Sequence, residues 1–90
     1  MQERDLLLPA DFADYAWEVK AKGVFWDALV QTGSEVIGVV FYDQVRLAQD
    51  ISEELKDEAS FELKRTMVVK EVTLSAMKDA ILRAPEEFFQ

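Results

Sequence analysis

The chain has 90 residues, half of them apolar, with eighteen acidic against ten basic side chains and a formal net charge of −8. That length suits one domain rather than two, and the apolar share excludes disorder of the low-hydrophobicity kind. Cysteine and histidine are absent, which removes disulfides, thiolate chemistry, the commonest metal ligand and the usual neutral-pH general base.

The N-terminal residues Met1 to Asp5 do not form a basic signal-peptide head, and Leu6-Leu7-Leu8 is too short for a signal core. No apolar run approaches the roughly 18 residues that cross a bilayer. These features predict a soluble, cytoplasmic protein. The acidic excess disfavours direct contact with nucleic acid or anionic lipid, which attract basic surfaces, and steers the chain towards basic partners.

Residues 1–8 and 85–90 read as tails open to fraying, around a single domain spanning 1–90. The first helix is expected near Pro9, with Asp11 and Asp14 at its positive end. Phe12, Tyr15, Ala16 and Val19 share one helical face, and Gly23 is placed to end it. The same stripe runs on through Trp26 and Val30, so a long or kinked helix ending at Gly33 is the reading carried forward. The rival reading makes 24–31 a strand that alternates as Val24, Trp26, Ala28 and Val30, with Thr32-Gly33-Ser34 as a hairpin turn.

Glu35 to Tyr42 is β-branched and aromatic throughout, the pattern of a central strand covered on both faces. Asp43 follows at an N-cap position, and 44–58 forms an amphipathic helix with Leu47, Ala48, Ile51 and Leu55 on one face. Thr66 to Val72 predicts a second strand, with 61–64 extending it or standing apart. Thr73 then caps a helix from Leu74 to Arg83, which Pro85 ends. The fold class is α+β, or small α/β: an N-terminal helix, then a β-α-β-α unit, with a two- to three-stranded sheet packed by helices. The strand–helix–strand centre is a parallel crossover, and its further strand must come from 24–31, from 61–64 or from another subunit.

The strongest functional candidate is the acidic side of the helix over 44–58: Asp50, Glu53, Glu54, Asp57 and Glu58. Asp50/Glu54, Glu53/Asp57 and Glu54/Glu58 are like-charge neighbours one turn apart, each costing a few tenths of a kcal/mol. A solvated face that keeps the chain dissolved explains them; so does a docking surface for a basic partner. A second candidate groups Asp43, Glu71 and Arg46 at the strand ends, where open α/β sheets bind ligands, yet Asp43 and Thr73 are already accounted for as caps. The third is aromatic. Trp17 falls off the first helix's apolar stripe, and Phe88-Phe89 either pack back on the core or anchor a partner. No serine or lysine stands in a recognisable nucleophile setting, so no catalytic residue, cofactor or metal is expected.

In size, acidity and lack of cysteine and histidine the chain is similar to small inhibitor proteins such as immunity proteins, antitoxins and anti-CRISPR proteins; the similarity is one of composition and covers no motif. The expectation is a non-enzymatic protein-binding module of inhibitor or antidote type that masks a basic surface, such as that of a nuclease or other nucleic-acid-binding protein. The alternative is an accessory or structural protein that assembles with itself, for instance as a homodimer.

Overall fold

The structure is a computed structural model that describes residues 3–89. Its elements in chain order are β1 (Arg4–Leu7), α1 (Phe12–Lys22), β2 (Val24–Thr32), β3 (Glu35–Tyr42), α2 (Gln44–Asp57), β4 (Thr66–Val68), α3 (Leu74–Arg83) and a closing 3-10 turn, Glu86–Phe89. The four strands form one sheet in the order β1-β2-β3-β4. Pairing is antiparallel from β1 to β3, and β4 joins β3 in parallel.

The fold is mixed α+β, as expected, but the expected layout is corrected in its details. The chain begins with a strand and not a helix. The sheet has four strands rather than two or three. Residues 24–32 are a strand and not the continuation of α1, because Gly23 adopts φ +75 and its N–H closes the helix on the Val19 carbonyl at 2.9 Å. Past that left-handed residue, which glycine adopts without penalty, the backbone of 24–32 finds its partners in β3. Gly33, at φ +62, makes the two-residue turn that pairs Thr32 with Glu35. The strand expected over 66–72 is cut to Thr66–Val68, and 61–64 pairs with nothing in the sheet. α2 and α3 have nearly the bounds that their periodicity predicts.

Strand alternation sends Ile37, Val39 and Phe41 to one face and Val36, Gly38, Val40 and Tyr42 to the other. α1 and α3 cover the first face. Phe12 and Val19, Phe25, Ala28 and Val30, Val72, Met77 and Ile81, and Phe89 close the core there. Phe12 meets Phe25 edge-on with ring centres 5.3 Å apart, a favoured aromatic geometry. Within the segments expected to fray, Arg4–Leu7 and Glu86–Phe89 have regular structure and hold each other, while residues 1, 2 and 90 lie outside the described residues. The half-buried Arg4 guanidinium lies 4.6 Å over the Phe89 ring and donates to the Ile81 and Ala84 carbonyls at the end of α3. Those carbonyls have no intrahelical partner, and a cation suits that end of the helix.

α2 is different. None of its residues is buried: Leu47 and Ile51 are half-buried, while Val45 and Leu55 are exposed. The apolar face read from the sequence exists but takes no part in the core.

Gly23 is the tightest point of the fold, since a Cβ there would overlap the Asp43 carboxylate. Gly23→Ala combines that overlap with a left-handed backbone, and is expected to cost about 1–3 kcal/mol. A lowered urea midpoint with an unchanged slope would show it.

Candidate functional site

The site is built where β2 and β3 meet α2. Phe25 pairs with Phe41 and Ala28 with Val39, so Trp26 and Asp27 together stand opposite the single residue Val40. This is a β-bulge, which re-aims side chains and breaks simple alternation. It leaves Trp26 54% exposed, beside Arg46 of α2.

Asp43 starts α2 in an extended conformation, and its carboxylate accepts from the Arg46 backbone N–H at 2.8 Å. This satisfies one of the helix's unpaired donors. One turn on, three side chains converge. The Tyr42 hydroxyl donates to Asp50 Oδ2 at 2.7 Å, and Arg46 Nε donates to Asp50 Oδ1 at 2.8 Å. Arg46 also donates to the Lys22 carbonyl at 3.3 Å, and its guanidinium lies 5.6 Å from the Trp26 ring centre. Charge-assisted bonds of this kind are the stronger sort, and here they hold α2 to the sheet in place of buried apolar contacts.

Beside this network lies an open cavity of about 420 Å³. Its walls are the rings of Trp26, Tyr42 and Phe61 and the carboxylates of Asp50, Glu53, Glu54 and Asp57. Glu53 is engaged by Lys56 at 3.3 Å, an exposed pair of small energetic weight. Burial pushes the Tyr42 hydroxyl above its ordinary pKa, and donation to Asp50 raises it further. Burial also pushes the Asp50 carboxyl upward, but the Tyr42 hydroxyl and the Arg46 guanidinium outweigh it and hold Asp50 below its usual value. The network therefore favours an ionised Asp50 beside a neutral Tyr42.

Four of the five acidic residues singled out from the sequence, Asp50, Glu53, Glu54 and Asp57, meet on this cavity. Glu58 does not; it terminates α2, its N–H donating to the Glu54 carbonyl at 2.9 Å. Of the aromatic candidates, Trp17 stands 73% exposed on α1, away from the cavity lining, whereas Phe89 is buried in the core and Phe88 packs half-buried against it. The strand-end group does not come together as a site. Asp43 is an N-cap, Glu71 faces Lys20 at 3.8 Å, and Thr73 caps α3 by accepting from the Ala76 N–H at 3.3 Å. Among the described residues, no three acidic side chains are grouped as a metal site would need.

Sequence reasoning missed Trp26, Tyr42 and Phe61. The alternating reading of 24–31 set Trp26 on the face of Ala28 and Val30, and the bulge that turns it out of the core cannot be seen without the register of β3. Comparison with family models, curated proteins and solved structures finds no match to this chain.

The two pKa directions set the pH limits of the network. A depressed Asp50 contributes stability that is complete above the ordinary carboxylate range, about pH 4, and is lost as pH falls through its folded value. A raised Tyr42 contributes stability that is complete below about pH 10 and is lost as pH climbs through its own. Tyr42→Phe is expected to cost about 1–2 kcal/mol and to move the Asp50 titration, followed by carboxyl carbon shifts, to higher pH. An unmoved midpoint would remove the hydroxyl from this account.

Proposed function

We propose that this chain is a non-enzymatic protein-binding module of inhibitor or antidote type, whose α2 side receives a lysine or arginine from the basic surface of a partner. The observation that carries the reading is the composition of the cavity wall. Asp50, Glu53, Glu54 and Asp57 share it with Trp26, Tyr42 and Phe61, and both kinds of group attract cations. Carboxylates do so through charge, and aromatic faces through their quadrupole, worth about 0.5–1 kcal/mol at exposed sites and more when water is excluded. The protein's own Arg46 guanidinium already lies over Trp26, so that ring is presented as a platform for a planar cation.

The crowding of like charges supports the same reading. Asp50/Glu54 and Glu53/Asp57 repel within α2, and an incoming cation would relieve that repulsion as it binds. The net charge of −8 would bring a basic partner in faster at low ionic strength. A nuclease or other nucleic-acid-binding protein has the basic groove that such a surface would mask.

The test replaces Glu53, Glu54 and Asp57 together by lysine and compares affinity capture from host lysate, with capture repeated across salt concentrations and the retained proteins identified by mass spectrometry. The expected result is a basic protein retained by the wild type, lost from the variant, and released as salt rises. Equal capture by both proteins, or a wild type that retains only copies of itself, overturns the proposal.

A further inference from the structure

The side of the sheet that carries Tyr42 and α2 is only partly covered. On β3, Tyr42 is buried and Val40 half-buried, but Gly38 and Val36 are exposed, Val36 by 55%. The β2 and β1 neighbours of Gly38 in the same row are Leu29 and Leu7, exposed by 43% and 37%. A Cβ built on Gly38 would have no atom within 4 Å. A strand interior that exposes bare backbone between leucines and valines is unusual, because glycine there weakens the strand and often marks a place where another chain or ligand comes close.

We propose that this open row, Leu7–Leu29–Gly38 with Val36 beside it, is a second contact area for a basic protein partner, taking a bulky apolar side chain over Gly38 from a segment flanked by lysine or arginine. The proposal rests on the partner reading above and extends it to the sheet. Charge decides the occupant. Towards β1 the outward-facing neighbours of the row are Asp5 and Gln31, paired with each other, and no outward position of β1, β2 or β3 carries a cation; on the β4 side the half-buried Arg65 is tied to β3 by its carbonyl, which accepts from the Val40 N–H at 3.0 Å. Acidic α2 stands on the same side, joined to it through Tyr42 and Asp50. A second copy of this chain would bring another −8 against that surface. A basic partner meets the row and the α2 carboxylates together.

The experiment titrates isotope-labelled protein with two synthetic peptides that share basic ends, one with leucine and tryptophan at its centre and one with serine there. The expected result is amide shifts at Leu29, Val36 and Gly38 and an affinity about tenfold higher for the apolar-centred peptide. Gly38→Glu should remove that advantage with the remaining spectrum intact, while Gly38→Ala should keep it. Equal affinities, no binding by either peptide, or shifts confined to α2 overturn the proposal; the last leaves the cavity reading standing. Conversely, shifts at Gly38 that survive Glu53, Glu54 and Asp57 replacement support the sheet contact and count against the cavity. Self-association by sedimentation, with concentration-dependent shifts at Gly38 in the absence of peptide, assigns the row to a second copy and also overturns the proposal.

Discussion

Asp43 lies against Gly23 with no space for a side chain between them, and two chain reversals meet at that contact. Gly23 ends α1 and releases the chain into β2; Asp43 ends β3 and releases it into α2. The Asp43 N–H donates to the Gly23 carbonyl at 2.8 Å while its carboxylate caps α2. Because Arg46 reaches back to the Lys22 carbonyl, the first turn of α2 is tied to the last residues of α1. That sets the rotation of the helix, and the rotation brings Asp50 to Tyr42 one turn later. The acidic side of α2 therefore faces Trp26 and Phe61 as a consequence of a corner made around a missing Cβ.

The molecule holds its parts by two different means. The face of the sheet towards α1 and α3 is closed by buried apolar side chains, a non-directional force proportional to area. The other face is joined to α2 by the Tyr42–Asp50–Arg46 network, where each hydrogen bond contributes about 1 kcal/mol net. Elements with few buried apolar contacts open at lower free energy than the core. α2 can therefore open while the sheet beneath it stays intact.

The bulge at Trp26 and Asp27 connects these two regimes. Without the extra residue, strict alternation after Phe25 would send Asp27, in place of Ala28, into the core. With it, Ala28 and Val30 remain buried against Val39 and Ile37, and Trp26 is left free to stand beside Arg46. One inserted residue thus preserves the core and supplies the aromatic platform.

α2, α3, the central strand over 35–42 and the parallel crossover were legible from the chain because their signals are local. Asp43 and Thr73 supply caps, Pro85 supplies a stop, and the apolar spacing of 74–81 matches the helical repeat. Four of the five acidic residues of interest were legible for the same reason, as neighbours on one helix. The remainder depends on contacts between distant residues. Residues 24–32 fit a helical stripe as well as an alternating one, and only the antiparallel partner in β3 and the left-handed Gly23 decide between them. Arg4–Leu7 is a strand because β2 offers it an edge and the end of α3 offers Arg4 its carbonyls, neither of which is near it in sequence. Trp26 and Tyr42 reach the same cavity as the α2 carboxylates from two strands, and Phe61 from the loop after α2. Local periodicity determined which surface is acidic; pairing and packing across the chain decided that aromatic rings stand opposite it, because side-chain direction in a bulged strand depends on the register of its neighbour.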